Sequence, residues 1–176
     1  MVWKHGGVYH DLDVEAYASV SAWAPQPQCQ LALLLELHER QFAQYAFAGA
    51  AQHPLLAATL AALEAKVMHG KFSAGDARHD GVLSFAGPHF FTRLVYMWLH
   101  EHLQIAQPAD ASTAAREAWL QQQDAPLRQH GVCVTGWERS QRLLENHMCS
   151  FDSSWCPAGD SWRQQDANLL LRSTGV

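Results

Sequence analysis

The stretch Gly6-Gly7-Val8-Tyr9-His10-Asp11-Leu12-Asp13-Val14-Glu15 determines how the rest of the chain is interpreted. Its alternating side chains predict one strand, with a mostly apolar face and a second face that carries Tyr9 and three acids. Asp11 and Asp13, at positions i and i+2, would lie roughly 6 to 7 Å apart along such a strand. Two carboxylates at this spacing can serve one hard divalent cation, directly or through its water. The pattern therefore indicates a metal site, and a solvated strand edge with three acids is the alternative.

Length and composition allow one domain with a substantial core, because the chain has 176 residues of which 48% are hydrophobic. No apolar run approaches the ~20 residues that a membrane-spanning helix needs, and the residues at the start do not form a signal peptide. The formal net charge of −5 disfavours non-specific nucleic-acid binding and predicts that an anionic ligand binds through a cation. Four cysteines without zinc-like spacing permit disulfides but do not require them, which leaves the compartment open.

The nearly continuous apolar run from Cys29 to Leu35 predicts a strand that is buried on both faces of a mainly parallel sheet. Glu36 follows at its end. The carboxyl ends of strands border the ligand crevice in open α/β sheets, so Asp13 and Glu36 occupy positions where ligand contacts are expected. A surface acid at the start of a charged turn is the alternative for Glu36.

Other elements follow from periodicity, prolines and glycines. Gly87-Pro88 opens a predicted helix whose free N–H groups could face a phosphate or a sugar hydroxyl. His53 is expected to have a structural role at a helix start. Residues 42–47 could form a strand or a helix, and a strand is favoured. The remaining predicted elements are a short helix over 16–23, a helix from Pro54 to Gly70, an exposed insertion over 104–129 with a helix through Trp119 capped near Ser112, and strands near Val82, Val132 and Met148.

Several segments, taken in order, resemble glycosyltransferases with a sugar-binding DXD region, and family 32 with its initiating α-1,6-mannosyltransferases in particular. Residues 6–13 resemble the family's Gly-Gly-aliphatic-Tyr-x-Asp-x-Asp segment, and residues 33–36 resemble its aliphatic strand ending in Glu. Residues 87–92 resemble its Thr-Gly-Pro-x-x-aromatic-Thr segment, with Ala86 at the first Thr position. His147 and Ser154-Trp155 resemble its closing His and Ser-Trp. The matches extend over roughly residues 3 to 155.

The resemblance implies an α/β fold of the GT-A type, with a mixed sheet and flanking helices, over residues 1–160, followed by a polar tail over 161–176. The family's nucleotide-binding half precedes the Gly-Gly segment, so the resemblance also implies that this chain corresponds to a carboxyl-terminal part. The implied activity is metal-dependent, retaining transfer of a hexose, with GDP-mannose as the expected donor, to a glycan or glycolipid acceptor. The implied location is the Golgi lumen or a Golgi membrane surface.

The same resemblance implies the roles of individual residues. Asp11, Asp13 and His147 would bind Mn²⁺ or Mg²⁺, and Asp11, Asp13 and Glu36 would be catalytic. Donor contacts are implied for Gly6, Gly7, Tyr9, Gly87, Pro88, Ser154 and Trp155. The alternative from another class is a non-catalytic remnant or partner-binding domain, which Ala86 favours. A metal-dependent hydrolase would need more ligands than Asp-x-Asp supplies.

Overall fold

The computed structural model describes residues 1–12, 14–22, 28–36, 41–68, 85–108 and 112–146. These residues form an α/β fold in which helices flank an open sheet. In chain order the elements are α1 (Val2–His5), β1 (Gly7–His10), β2 (Val14–Ala16), a 3₁₀ turn (Val20–Ala22), β3 (Leu31–Glu36), β4 (Gln41–Gly49), α2 (Pro54–Met68), α3 (Pro88–Leu103), α4 (Thr113–Gln129), β5 (Val132–Thr135), α5 (Trp137–Leu143) and β6 (Leu144–Asn146).

Four strands form the main sheet in the order β1-β4-β3-β5. Both β1 and β3 run antiparallel to β4, and β5 runs parallel to β3. The sheet is therefore mixed, and β1, β3 and β5 point in one direction. The predicted strands at Val8, Leu33, 42–47 and Val132 are confirmed. Those predicted near Val82 and Met148 lie outside the described residues.

β3 is the central strand, and all six of its residues are buried. Successive side chains of a strand point to opposite faces. Leu33 packs with Leu99 of α3 and Leu127 of α4 on one face. Leu34 packs with Val14 of β2 and Leu143 of α5 on the other. The prediction of a strand buried on both faces is confirmed, although only its β5 neighbour is parallel.

The expected single strand over the acidic stretch is wrong, because the chain turns after His10. The Val14 N–H donates to the Asp11 carbonyl across this turn at 3.2 Å, and Leu12 is fully exposed. Residues Val14–Ala16 then pair with Leu144–Asn146 in a separate two-stranded sheet. The expected helix over 16–23 is also wrong in its described part, because only the short 3₁₀ turn is helical there.

The helix α4 belongs to the core, so the expected exposed insertion over 104–129 is wrong. Its Ser112 cap is confirmed, since the Ser112 hydroxyl accepts the Ala115 N–H at 3.2 Å. The helix continues beyond Trp119 through Pro126. Trp119 and Leu127 are only 6% and 1% exposed, and both pack with the strands of the main sheet. These two residues are eight positions apart and lie on one helix face. The Gln and Ala residues between them make the apolar periodicity of this face hard to recognise in the sequence.

His53 stabilises the start of α2, as predicted. Its ring Nδ1 accepts the Leu55 N–H at 3.2 Å, and the side chain is buried. Burial lowers the pKa of His53. The neutral ring that results is the form that can accept this hydrogen bond.

Thr92 has a structural role at an irregular point of the sheet. The β3–β4 register shifts between Leu33 and Leu35. Just beyond this shift the Phe42 N–H donates to Thr92 Oγ1 at 2.8 Å. The last residue of the Gly-Pro segment therefore ties α3 to β4.

A disulfide joins Cys29, which precedes β3, to Cys133 in β5, with the two Cα atoms 5.8 Å apart. Cys133 lies beside Ala32 in the parallel pairing of the two strands. The bond therefore links the neighbouring strands β3 and β5 near their amino-terminal ends. It also settles a pairing that the cysteine count alone left open.

Candidate functional site

The candidate site lies at the edge of the sheet where β1, β3 and β5 end. These strands share one direction, so their carboxyl ends meet at this edge, which is where ligands bind in open α/β sheets. Asp11 directly follows β1, and Glu36 is the last residue of β3. Two of the predicted catalytic residues are thus brought to the same edge of the sheet.

Glu36 is buried, so the interpretation as a surface acid is wrong. Gln41, its cross-strand partner in β4, donates a side-chain hydrogen bond to the Glu36 carboxyl. The hydroxyl of Tyr45 is a second hydrogen-bond partner. Burial raises the pKa of Glu36 and outweighs these two hydrogen bonds, which lower it. The carboxyl therefore retains its proton to a higher pH than an exposed glutamate does.

Tyr45 connects the two acids of the site. Its carbonyl accepts the backbone N–H of Asp11 at 2.8 Å, while its hydroxyl is hydrogen-bonded to Glu36. Burial is the main cause that raises the pKa of Tyr45, followed by the neighbouring Glu36 charge. The phenol therefore stays protonated and remains a hydrogen-bond donor.

Asp11 is half-buried and accepts a hydrogen bond from the Tyr9 hydroxyl. This bond orients the carboxylate of Asp11, which directly follows β1. The Asp11 carboxylate oxygens are the type of ligand that hard divalent cations prefer. Asp13 itself lies outside the described residues.

Tyr9 also belongs to the wall of a pocket of about 540 Å³. The pocket lies between α1, the face of the sheet formed by β1 and β4, helix α2, and the start of α3. Five aromatic side chains contribute to its wall: Trp3, Tyr9, Phe47, Phe90 and Phe91. We call this cavity the aromatic pocket. Ala86, next to the predicted Gly87-Pro88 contact, is also in its wall, so the structure brings Tyr9 and the start of α3 together.

The predicted glycines have structural reasons to be glycine. Gly6 has φ +70°, and a Cβ atom there would lie 2.9 Å from the backbone nitrogen of Ala51. Gly7 has φ +113°, a backbone conformation that residues with a Cβ atom rarely adopt. Gly87 caps α3, with Pro88 in the first turn. These features explain the motif locally, and the predicted donor contacts of these residues remain predictions.

The small sheet of β2 and β6 brings two distant parts of the chain together. Val14 pairs with Asn146 in antiparallel register. Asp13 immediately precedes Val14 in the sequence and His147 immediately follows Asn146. His147, like Asp13, Ser154 and Trp155, lies outside the described residues.

Among the described residues no group of three His, Cys, Asp or Glu side chains could hold a metal ion. Of the three predicted ligands, only Asp11 belongs to that part of the chain. Within the same part, no helix has the length and apolar character needed to cross a membrane.

Gln41 and Tyr45 are the site residues that sequence reasoning missed. The 42–47 segment was recognised as an aromatic strand, but nothing in it indicated that Tyr45 contacts Glu36. The signal that could have found them is the short connection between β3 and β4. Such a connection makes an antiparallel hairpin and places Gln41 opposite Glu36.

A second, polar pocket of about 480 Å³ lies at the opposite edge of the sheet. Gln30, Arg128 and Gly131 are in its wall, next to the amino-terminal ends of β3 and β5. It shares no residue with the aromatic pocket. Of the two acids, Asp11 is linked to the aromatic pocket by its hydrogen bond to Tyr9, whereas Glu36 follows Leu34 by two positions in β3 and lies on the other face of the sheet.

Comparison with known proteins gives no match: no protein-family model fits the sequence, and no curated protein or solved structure is similar to it. The resemblance to family 32 therefore stays a prediction.

Proposed function

We propose that this chain is part of a GT-A-type glycosyltransferase that transfers a hexose from a nucleotide sugar to a glycan or glycolipid hydroxyl with retention. GDP-mannose is the donor that the family resemblance favours. One observation carries the proposal. Asp11 leaves β1 at the same sheet edge as Glu36, and it is hydrogen-bonded to Tyr9 in the wall of the aromatic pocket.

The carboxylate of Asp11 suits a hard cation such as Mn²⁺ or Mg²⁺, and the Tyr9 hydroxyl holds it in one orientation. The pairing of Val14 with Asn146 supports Asp13 and His147 as further ligands. Asp13 directly precedes Val14 in the sequence, and His147 directly follows Asn146. A metal ion bound there supplies positive charge for a departing nucleotide diphosphate. The net charge of −5 supports the same arrangement, since an acidic protein binds an anionic donor best through a cation.

Glu36 is the proposed acid–base residue of the site. It lies at the carboxyl end of β3, and burial raises its pKa, so it holds its proton to a higher pH than an exposed glutamate does. Tyr45 and Gln41 hold the carboxyl in position through their hydrogen bonds. Tyr9 and the residues at the start of α3 would contact the sugar or the phosphates.

The test is a titration of the purified chain with Mn²⁺, in which electron paramagnetic resonance measures the concentration of free Mn²⁺ at each step. We expect Asp11→Asn and Asp13→Asn each to weaken Mn²⁺ binding by at least tenfold, because a cation held by few carboxylates loses much of its affinity with one. Glu117→Gln is the matched control, since Glu117 is an exposed acid on α4 and its replacement changes the net charge equally. GDP-mannose should bind more tightly when Mn²⁺ is present.

Equal Mn²⁺ affinity in the wild type and in both Asp variants would overturn the site assignment. If Mn²⁺ binding depends on Asp11 but does not strengthen GDP-mannose binding, the metal site stands and GDP-mannose is excluded as the donor.

A non-catalytic, partner-binding domain of the same fold is the second candidate, and one observation favours it. Helix α2 exposes Leu60, Val67 and Met68 to solvent, at 51%, 63% and 77%. Apolar side chains clustered on one helix often mark a protein interface. This candidate predicts no Asp11-dependent Mn²⁺ binding, and self-association or partner capture that Val67→Asp abolishes.

A further inference from the structure

The aromatic pocket has the size and composition of a small-molecule site. Its volume of about 540 Å³ is within the range of roughly 300 to 1,000 Å³ that is common for such sites. Three of its rings form a continuous surface: Tyr9 and Phe47 have centroids 5.4 Å apart, and Phe47 and Phe91 are 6.0 Å apart. On the opposite wall, α2 contributes Leu60 and Leu63.

The charge of the pocket wall restricts the ligand. Among the described residues that form the wall there is no Asp, Glu, Lys, Arg or His side chain. Gln44 and Thr59 contribute amide and hydroxyl groups, and the Thr59 hydroxyl already donates to the Leu55 carbonyl at 2.9 Å. Met1, which carries the charged α-amino group, also belongs to the wall, but it is 97% exposed. A charged group deeper in the pocket, among the aromatic and aliphatic side chains, would lose its hydration without gaining a charged partner, so the part of a ligand inside the pocket is uncharged and apolar.

One residue of the pocket wall is bonded to a polar group outside the wall. Tyr9 contributes its ring to the wall and donates its hydroxyl to Asp11, so the apolar surface and the carboxylate are separated by one side chain. On the far side, Lys66 fixes Phe90: its ammonium lies 4.2 Å from the centroid of that ring and donates to the Phe85 carbonyl at 3.0 Å. The wall at Phe90 is therefore held in place before any ligand binds.

We propose that the aromatic pocket binds the apolar part of an amphiphilic glycoside, an alkyl or aryl group, and that the sugar hydroxyls of the same molecule lie at Asp11. The binding of the apolar group follows from the pocket alone. The role of the glycoside as the acceptor rests on the proposed function.

The experiment compares octyl α-D-mannopyranoside, below its critical micelle concentration, with methyl α-D-mannopyranoside by isothermal titration calorimetry. Each methylene that leaves water strengthens binding about fourfold. We expect the octyl glycoside to bind at least tenfold more tightly than the methyl glycoside. Equal affinities would overturn the proposal. They would be observed, for example, if another segment of this chain already filled the pocket.

Two variants on α2 locate the binding. Leu60→Asp places a charge in the pocket wall at a side chain that is 51% exposed, and Val67→Asp places the same charge outside the wall at a side chain that is 63% exposed. We expect Leu60→Asp to weaken octyl mannoside binding at least tenfold and Val67→Asp to change it less than twofold. Equal responses would overturn the proposal. Trp3→Ala, at a wall residue that is 39% exposed, gives a second measurement if Leu60→Asp fails to fold, and it should also weaken binding.

Failure of this proposal is distinguishable from failure of the proposed function. Leu60→Asp should leave Mn²⁺ affinity unchanged, because Leu60 is on α2, whereas Asp11 follows β1. Octyl selectivity without Asp11-dependent Mn²⁺ binding would keep the pocket and reject the glycosyltransferase.

Discussion

Removing the disulfide between Cys29 and Cys133 is expected to destabilise the fold substantially. The bond joins residues that are 104 positions apart. Closing a loop of about 100 residues removes unfolded-chain entropy equivalent to about 4.7 kcal/mol at 25 °C, and measured losses from removing native disulfides are about 2–5 kcal/mol. The β3–β5 backbone pairing does not depend on the bond, so the variant Cys29→Ser/Cys133→Ser should keep the sheet and lose stability.

Thermal unfolding followed by circular dichroism measures this effect. In a chain of this size 1 kcal/mol corresponds to roughly 2–4 °C in Tm, so a Tm decrease of roughly 5–15 °C is expected. Reductant should lower the Tm of the wild type by a similar amount and leave the double variant unchanged. Cys149→Ser/Cys156→Ser is the control, and it should retain the reductant-sensitive Tm.

The reasoning would be refuted if the wild type, shown by peptide mapping to contain the Cys29–Cys133 bond, had the same Tm with and without reductant. It would also be refuted if the control pair lowered Tm as much as the Cys29/Cys133 pair.

Two further predictions concern buried polar groups at the site edge. Burial raises the pKa of Glu36 above its ordinary value of 4.5, so the folded chain holds this proton more tightly than the unfolded chain, and stability falls as pH rises through that range. Relative to the wild type, Glu36→Gln should therefore gain stability in urea unfolding as the pH rises above 4.5; a pH-independent difference would contradict this. Ser140→Ala leaves the Leu35 carbonyl without the hydrogen bond that the Ser140 hydroxyl donates at 2.9 Å in a buried environment, which should cost about 1–3 kcal/mol. The exposed Ser19→Ala should cost less than about 0.5 kcal/mol in the same assay, and equal losses would exclude a special role for the Ser140 bond.

Local sequence patterns were sufficient for the elements whose signals are local. The run of leucines ending at Leu35 predicted the buried central strand, because an uninterrupted apolar run of that length fits a strand covered on both faces. Pro54 and Pro88 marked the starts of two helices, because proline fits the first turn and not the interior. The location of Glu36 at the carboxyl end of β3 followed from the same reasoning.

Other features depended on partners far away in the sequence. The apolar–polar alternation continues past His10, so the sequence gives no sign of the turn that ends β1; burial of Val14 against Leu143 is what separates the two strands. Helix α4 looked polar because few of its residues face the core: Trp119 and Leu127 are buried, and Leu120 packs against the same cluster.

The environment of Glu36 was decided in the same way, by tertiary structure. The sequence determined that an acid ends β3, but only the return of β4 buries it beneath Tyr45 and Gln41. The aromatic pocket likewise exists because α2 and α3 pack on the face of β4 beside Tyr9. A residue's own identity sets which interactions it can make, whereas burial and pKa depend on neighbours that the fold brings from elsewhere in the chain.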